Sequence, residues 1–188
     1  DELLFTKNKG QWHKNVLYRA KMDFGNIYLE KGGFTYLFYD KSIFSSEGHT
    51  KRKEDFPETI DAHSVKTTFL GANPNPIIES FEPSSWYENY FIGKDESKWA
   101  TKVHAYKSVF YHDLYDDINL KVYQYAKYAK YDFIVGTGGD PSQISFQYQG
   151  HEKVKLKNGS LHITTSMGSI VEQRPVAFQT IDGKEVEV

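Results

Sequence analysis

Ile27-Tyr28-Leu29-Glu30-Lys31-Gly32-Gly33-Phe34-Thr35-Tyr36-Leu37-Phe38-Tyr39 is the stretch whose reading decides the fold. Residues 27–30 and 34–39 are short, aromatic and apolar, the composition of pleated, half-buried strands. Between them Lys31-Gly32-Gly33 supplies the backbone freedom of a tight reversal. The segment predicts two antiparallel strands. Toward the N-terminus, residues 16–20 read as a further strand that enters through Asp23-Phe24-Gly25-Asn26, so the region is a meander. Toward the C-terminus, residues 40–62 are polar, charged and without periodicity, which predicts a long exposed loop. Strand patterning resumes at 64–70, and Gly71-Ala72-Asn73-Pro74-Asn75-Pro76 ends it, because proline restricts the residue before it and lacks an N–H for the ladder. Further strands are expected at 77–81, 105–111, 118–125, 130–135, 144–148, 154–156, 161–165, 169–172 and 176–179. Asn158-Gly159 is a strong two-residue hairpin signal, with Met167-Gly168 and Asp182-Gly183 as further turns. The expected architecture is all-β: a β-sandwich of many short antiparallel strands and hairpins with little helix and room for an extra small sheet.

Composition agrees. Aromatics make up 16% of the 188 residues, with 14 Tyr and 13 Phe, which favours strands over helices rich in alanine and leucine. That length suits one domain spanning 1–188. The net charge of −2, from 23 basic and 25 acidic residues, provides no global field for nucleic acid. The basic triplet Lys51, Arg52 and Lys53 is flanked by Glu54 and Asp55 and reads as a solvated loop. Without cysteine there are no disulfides, thiolate metal sites or Cys nucleophiles. No apolar run approaches a membrane span. The alternating end Glu185-Val186-Glu187-Val188 carries no stop signal, so a longer protein is expected.

No catalytic constellation stands out. The densest group is His112-Asp113-Leu114-Tyr115-Asp116-Asp117, with His104 near in sequence, and it reads better as a charged turn than as an acid–base pair. Asp113, Asp116, Asp117 and Asn119 supply oxygens for calcium without a known loop spacing, so calcium is a secondary expectation and otherwise no cofactor is expected. His49 and His63 read as solvated, and no histidine pair has zinc spacing. Gly136-Thr137-Gly138-Gly139-Asp140-Pro141 lacks the Lys-Ser/Thr and helix of a phosphate loop and reads as a turn. The strongest functional lead lies in 82–100, where Trp86, Tyr87, Tyr90 and Trp99 could stack on sugar rings. Most Trp and Tyr of a sandwich pack inside it, so exposure on one face is what would make these four a site. Asp95 is placed to cap a single helical turn ahead of Trp99.

A resemblance covers nearly the whole chain. Its phrases run, in order, Asn8-Lys9-Gly10-Gln11-Trp12, Leu29-Glu30-Lys31-Gly32-Gly33-Phe34-Thr35-Tyr36, Phe69-Leu70-Gly71-Ala72-Asn73-Pro74 and Asn89-Tyr90-Phe91-Ile92-Gly93-Lys94-Asp95. Ser97-Lys98-Trp99, Tyr131-Asp132-Phe133-Ile134-Val135, Gly139-Asp140-Pro141-Ser142 and Gln173-Arg174-Pro175 follow. In these the chain resembles a domain of unknown function found near the N-terminus of large secreted proteins, chiefly from Bacteroidetes. Those proteins carry SBBP β-propeller repeats, PKD-type domains or gliding-motility-associated C-terminal sorting regions. The resemblance implies an exported, cell-surface setting and a multidomain parent, and no catalytic residues. This chain departs from the pattern at Asp116-Asp117-Ile118-Asn119, where relatives often place Pro-Gly-Ile-Asp, so a carboxylate is missing at Asn119.

The functional expectation is a non-enzymatic module of a secreted or cell-surface protein, serving adhesion, glycan or partner binding, or spacing. Its first partners would be neighbouring domains of the same protein, then a glycan or surface protein. The alternative is an accessory carbohydrate-binding domain of a secreted hydrolase.

Overall fold

The computed structural model describes residues 2–23, 25–40, 59–181 and 183–188. His49, the Lys51–Lys53 triplet and most of the expected loop lie outside the described residues. The strands run β1 Phe5–Lys7, β2 Tyr18–Met22, β3 Gly25–Glu30, β4 Gly33–Tyr39, β5 Ala62–Phe69, β6 Ile77–Pro83, β7 Glu88–Tyr90 and β8 Ala100–Val103. They continue with β9 Ala105–Tyr115, β10 Ile118–Tyr125, β11 Tyr128–Val135, β12 Phe146–Gln149, β13 Lys153–Lys157, β14 Ser160–Thr165, β15 Gly168–Glu172, β16 Phe178–Ile181 and β17 Lys184–Glu187. Helical structure among the described residues is limited to two 3-10 turns, Glu96–Lys98 and Pro141–Gln143. The all-β architecture of short antiparallel strands is as expected.

The layers arise from the longest strand. β9 pairs with β6 from Tyr106 to His112 along one edge. Its opposite edge is shared: β1 takes Ala105 and Tyr106, and β10 takes positions from Ser108 to Tyr115. Two ladders leaving one edge cannot continue in one plane, so β1-β2-β3-β4-β5-β12 and β10-β11 diverge and fold face to face. The ten-stranded sheet is thereby curled into a half-barrel. Side chains meet across its interior: Phe34 of β4 packs on Tyr131 of β11 at 5.9 Å between ring centroids, and Phe69 of β5 on Phe133 at 6.3 Å. The Tyr111 hydroxyl of β9 donates to the Glu30 carbonyl of β3 at 3.0 Å. The core holds Phe5, Ile27, Leu29, Phe34, Val109, Tyr111, Leu114, Ile118 and Leu120, all buried. Their alternation along each strand follows from the period of two that the sequence shows.

Three smaller sheets attach to this body. β13-β14-β15 packs against the half-barrel, with Ile163 fully buried and Ile170 packed on the core. Its first hairpin turns at Asn158 and Gly159, with φ of 52° and 79°, the left-handed pair that the Asn-Gly dipeptide supplies. β7-β8 forms a separate two-stranded ribbon, and β16-β17 an exposed hairpin.

Candidate functional site

The β7-β8 ribbon carries the aromatic stretch. It is fixed from the N-terminal loop, which Asn8 closes on itself: its amide donates to the carbonyls of His13 and Val16, and its Oδ1 accepts from the N–H groups of Gly10 and Trp12. So held, Trp12 lies against the Arg19 guanidinium, 4.3 Å from its ring centroid, and meets the Tyr90 ring edge-on at 5.6 Å. Lys9 Nζ donates to the Lys102 carbonyl at 2.9 Å, tying down the second strand. Tyr90 is therefore a half-buried anchor. Its hydroxyl donates to the Glu88 carboxylate, and burial first, then that carboxylate, push its pKa up to about 12.

The other three predicted residues are exposed. Trp86 is 48%, Tyr87 51% and Trp99 37% exposed. Tyr87 touches His104 with its ring, while Trp99 donates Nε1–H to the Gly93 carbonyl at 3.2 Å and packs edge-on with Phe91. Phe91 and Ile92, not singled out from the sequence, are the most exposed large apolar residues of the stretch at 60% and 54%. Their signal is two consecutive large apolar residues directly before Gly93, which breaks strand alternation. Asp95 caps the 3-10 turn as expected, accepting from Ser97 N at 3.1 Å.

The acidic positions are held differently. Asp113 sits at a bulge of β9 with φ of 49°, and its backbone N–H donates to Asn119 Oδ1 at 2.8 Å. An amide or a carboxylate at 119 can accept that bond equally, so Asn119 serves the backbone where relatives are expected to place Asp. Asp116 and Asp117 are exposed in the β9-β10 turn, and the Asp117 carbonyl accepts from Gly136 N. His112 pairs with Glu79 of β6 at 2.9 Å. Among the described residues no three His, Asp or Glu side chains converge as a metal cluster. His63 is not a solvated loop histidine: it lies in β5, bonded to Ser166 Oγ at 2.8 Å and the Gly150 carbonyl at 2.6 Å, joining the main sheet to the small one. The Gly136–Gly139 segment is a turn packed on Asp117, and Asp140 caps the 3-10 turn after it. An open cleft of about 620 Å³ is lined by Lys14, Glu30, Lys31, Lys66 and Gln149, but Lys66 already pairs with Glu30 and Lys31 bonds Asn75.

Sequence reasoning missed one half-buried polar cluster. Glu172 of β15 faces the main sheet and accepts from the Tyr131 hydroxyl at 2.9 Å, with Tyr36 and Tyr148 also facing it. The Tyr148 hydroxyl is buried outside normal hydrogen-bond geometry. Burial raises the Glu172 pKa from its ordinary 4.5, and the tyrosine hydroxyl bonds only partly oppose this. The folded state thus holds the proton more tightly than the unfolded chain. The stability linked to it is complete below pH 4.5 and is lost as pH rises through the raised folded value. Glu172→Gln keeps an acceptor for Tyr131 and cannot ionise. Its urea midpoint should exceed that of the wild type by a margin that grows from pH 4 to pH 8, and a constant margin would refute the assignment.

Among the described residues no helix is long and apolar enough to cross a membrane. No curated protein matches the chain, and no solved structure does. A family model does match, from residue 5 to residue 188, so that it takes in the half-barrel, the aromatic ribbon and the small sheets together. On that match the chain belongs to the family described as Domain of unknown function (DUF7948).

Proposed function

We propose that this domain is a non-enzymatic recognition module of a larger exported, cell-surface protein, and that it engages a protein partner through the β7-β8 ribbon. The observation that carries the reading is the exposure of Trp86, Tyr87, Phe91, Ile92 and Trp99 within 14 consecutive residues on a ribbon that Trp12 and Lys9 fasten to the body. Large apolar side chains exposed close together along a short fastened ribbon favour an interaction surface, and Trp and Tyr are the side chains that dominate such contacts. Fastening the ribbon beforehand lowers the ordering cost of binding. Phe91 and Ile92 have no polar tip, which suits a protein surface better than a sugar. The setting follows the resemblance to modules of large secreted Bacteroidetes proteins, in which a neighbouring domain is the nearest partner.

A second reading, sugar stacking in a surface adhesin or as an accessory domain of a secreted hydrolase, is favoured by Trp86 and Tyr87 with Asn89 and Asp95 close in sequence. Trp86→Ala and Trp99→Ala separate the two. On the protein reading each weakens binding to the adjoining domain of the full-length protein by about thirtyfold in calorimetry, with an unchanged urea midpoint. Undiminished binding by both variants contradicts it. A glycan-array signal that Trp86→Ala removes would shift the assignment to sugar.

A further inference from the structure

We propose that the outer face of the β13-β14-β15 sheet binds an acidic polysaccharide, held by Lys153, Lys155 and Lys157. The register sets the two faces. Val154, Ile163 and Ile170 lie directly across from one another, as do Leu156, Leu161 and Glu172, and the burial of Ile163 shows that this face turns to the core at β14, while Val154 and Leu156 on the edge strand β13 stay exposed. The alternate positions therefore form the solvent face. There Lys153 lies opposite Thr164 and Ser169, Lys155 opposite His162 and Val171, and Lys157 opposite Ser160.

Three cations thus stand on one face of a single edge strand, about 7 Å from each to the next. No ion pair among the described residues involves any of them. The cross-strand positions opposite them, where an acidic residue would neutralise them, hold Thr, His and Ser instead. The only acidic residue in the three strands is Glu172, and it faces inward. Arg174 adds a cation at the hairpin end, its backbone N–H donating to Ser160 Oγ at 3.3 Å and its side chain lying against Gly159. Glu152, just before β13, is the nearest acidic flank in sequence. Lysine on an edge strand guards against pairing with another sheet. That role does not call for an absence of carboxylates across the whole face.

A row of like charges with no ion pair among the described residues fits a linear polyanion, and the Ser and Thr hydroxyls across from the lysines suit sugar hydroxyls. The face has no Phe, Tyr or Trp on which bases could stack, which disfavours single-stranded nucleic acid. Val171 is its one apolar side chain, too little to enter a lipid interface.

The test titrates the domain with polygalacturonate and dextran sulfate, and with neutral dextran, a single-stranded oligonucleotide and phosphatidylglycerol vesicles as controls. The wild type should bind both acidic polysaccharides, with affinity that falls steeply with salt. Replacing the three lysines together by serine should cost about tenfold or more in affinity at an unchanged urea midpoint. Replacing them by arginine should retain binding. Trp86→Ala should leave it intact, which separates this face from the ribbon. The proposal is overturned if the wild type ignores both polymers, if the serine variant binds as well as the wild type, or if the oligonucleotide or the vesicles bind more tightly than the polysaccharides.

Discussion

Phe34→Ala should lower the unfolding free energy by about 3–5 kcal/mol, the cost of emptying a fully packed aromatic position. Phe34 is 1% exposed and stands where the two halves of the curled sheet meet. Its ring packs edge-on with Phe69 of β5 at 5.1 Å and tilts against Tyr131 of β11 at 5.9 Å. Removing it opens a cavity between strands that no backbone ladder joins, so no hydrogen-bond network draws the walls together. Urea unfolding should show a lower midpoint with an unchanged slope. A loss below about 1 kcal/mol would mean that the faces do not meet at this ring. Tyr131 also bonds Glu172, so the variant should lose protection from hydrogen exchange in β15 as well as in β4.

Gly33→Ala, one residue earlier, should cost about 3 kcal/mol through the opposite fault, overpacking. A Cβ on Gly33 would stand 1.9 Å from the Thr67 carbonyl oxygen and 2.9 Å from its carbon. That carbonyl belongs to β5, whose pairing with β4 runs from Gly33↔Thr68 to Tyr39↔Ala62. The obstacle is a ladder rather than a side-chain tip, so relief requires β4 and β5 to separate at that end. Gly32, its neighbour in the same turn, meets nothing within 4 Å, and Gly32→Ala should be nearly neutral. Equal losses in the two variants would contradict this account. The pair tests which glycine of Lys31-Gly32-Gly33 the fold requires, a distinction invisible in the dipeptide itself.

Much of the local structure was legible before any tertiary contact. The strands at 27–30, 34–39, 118–125 and 161–165 show clear alternation or aromatic density and lie within a residue or two of β3, β4, β10 and β14. Asp95 and Asn158-Gly159 act through bonds and angles spanning a few residues, and both behave as read. The elements not anticipated, β1, β7 and β8, are three or four residues long, too short to establish a period. β9 was expected to stop at 111 but runs to Tyr115. The bulge at Asp113 breaks the alternation, while pairing with β10 resumes beyond it.

The candidate site divides in the same way. Aromatic density marked 82–100, but Tyr90 became an anchor while Trp86 stayed free, because Trp12 comes from the far N-terminal loop to cover one and not the other. Glu172 reads as an ordinary strand-end carboxylate, and its burial depends on Tyr131, 41 residues away. Alternation and turn chemistry are properties of neighbouring residues, so the sequence by itself determined that this chain is all-β and where most of its strands and turns fall. Which edges pair, which faces are covered and which side chains meet depend on partners distant along the chain. Those were decided only when β9 gave one edge to both β1 and β10, and so folded the sheet onto itself.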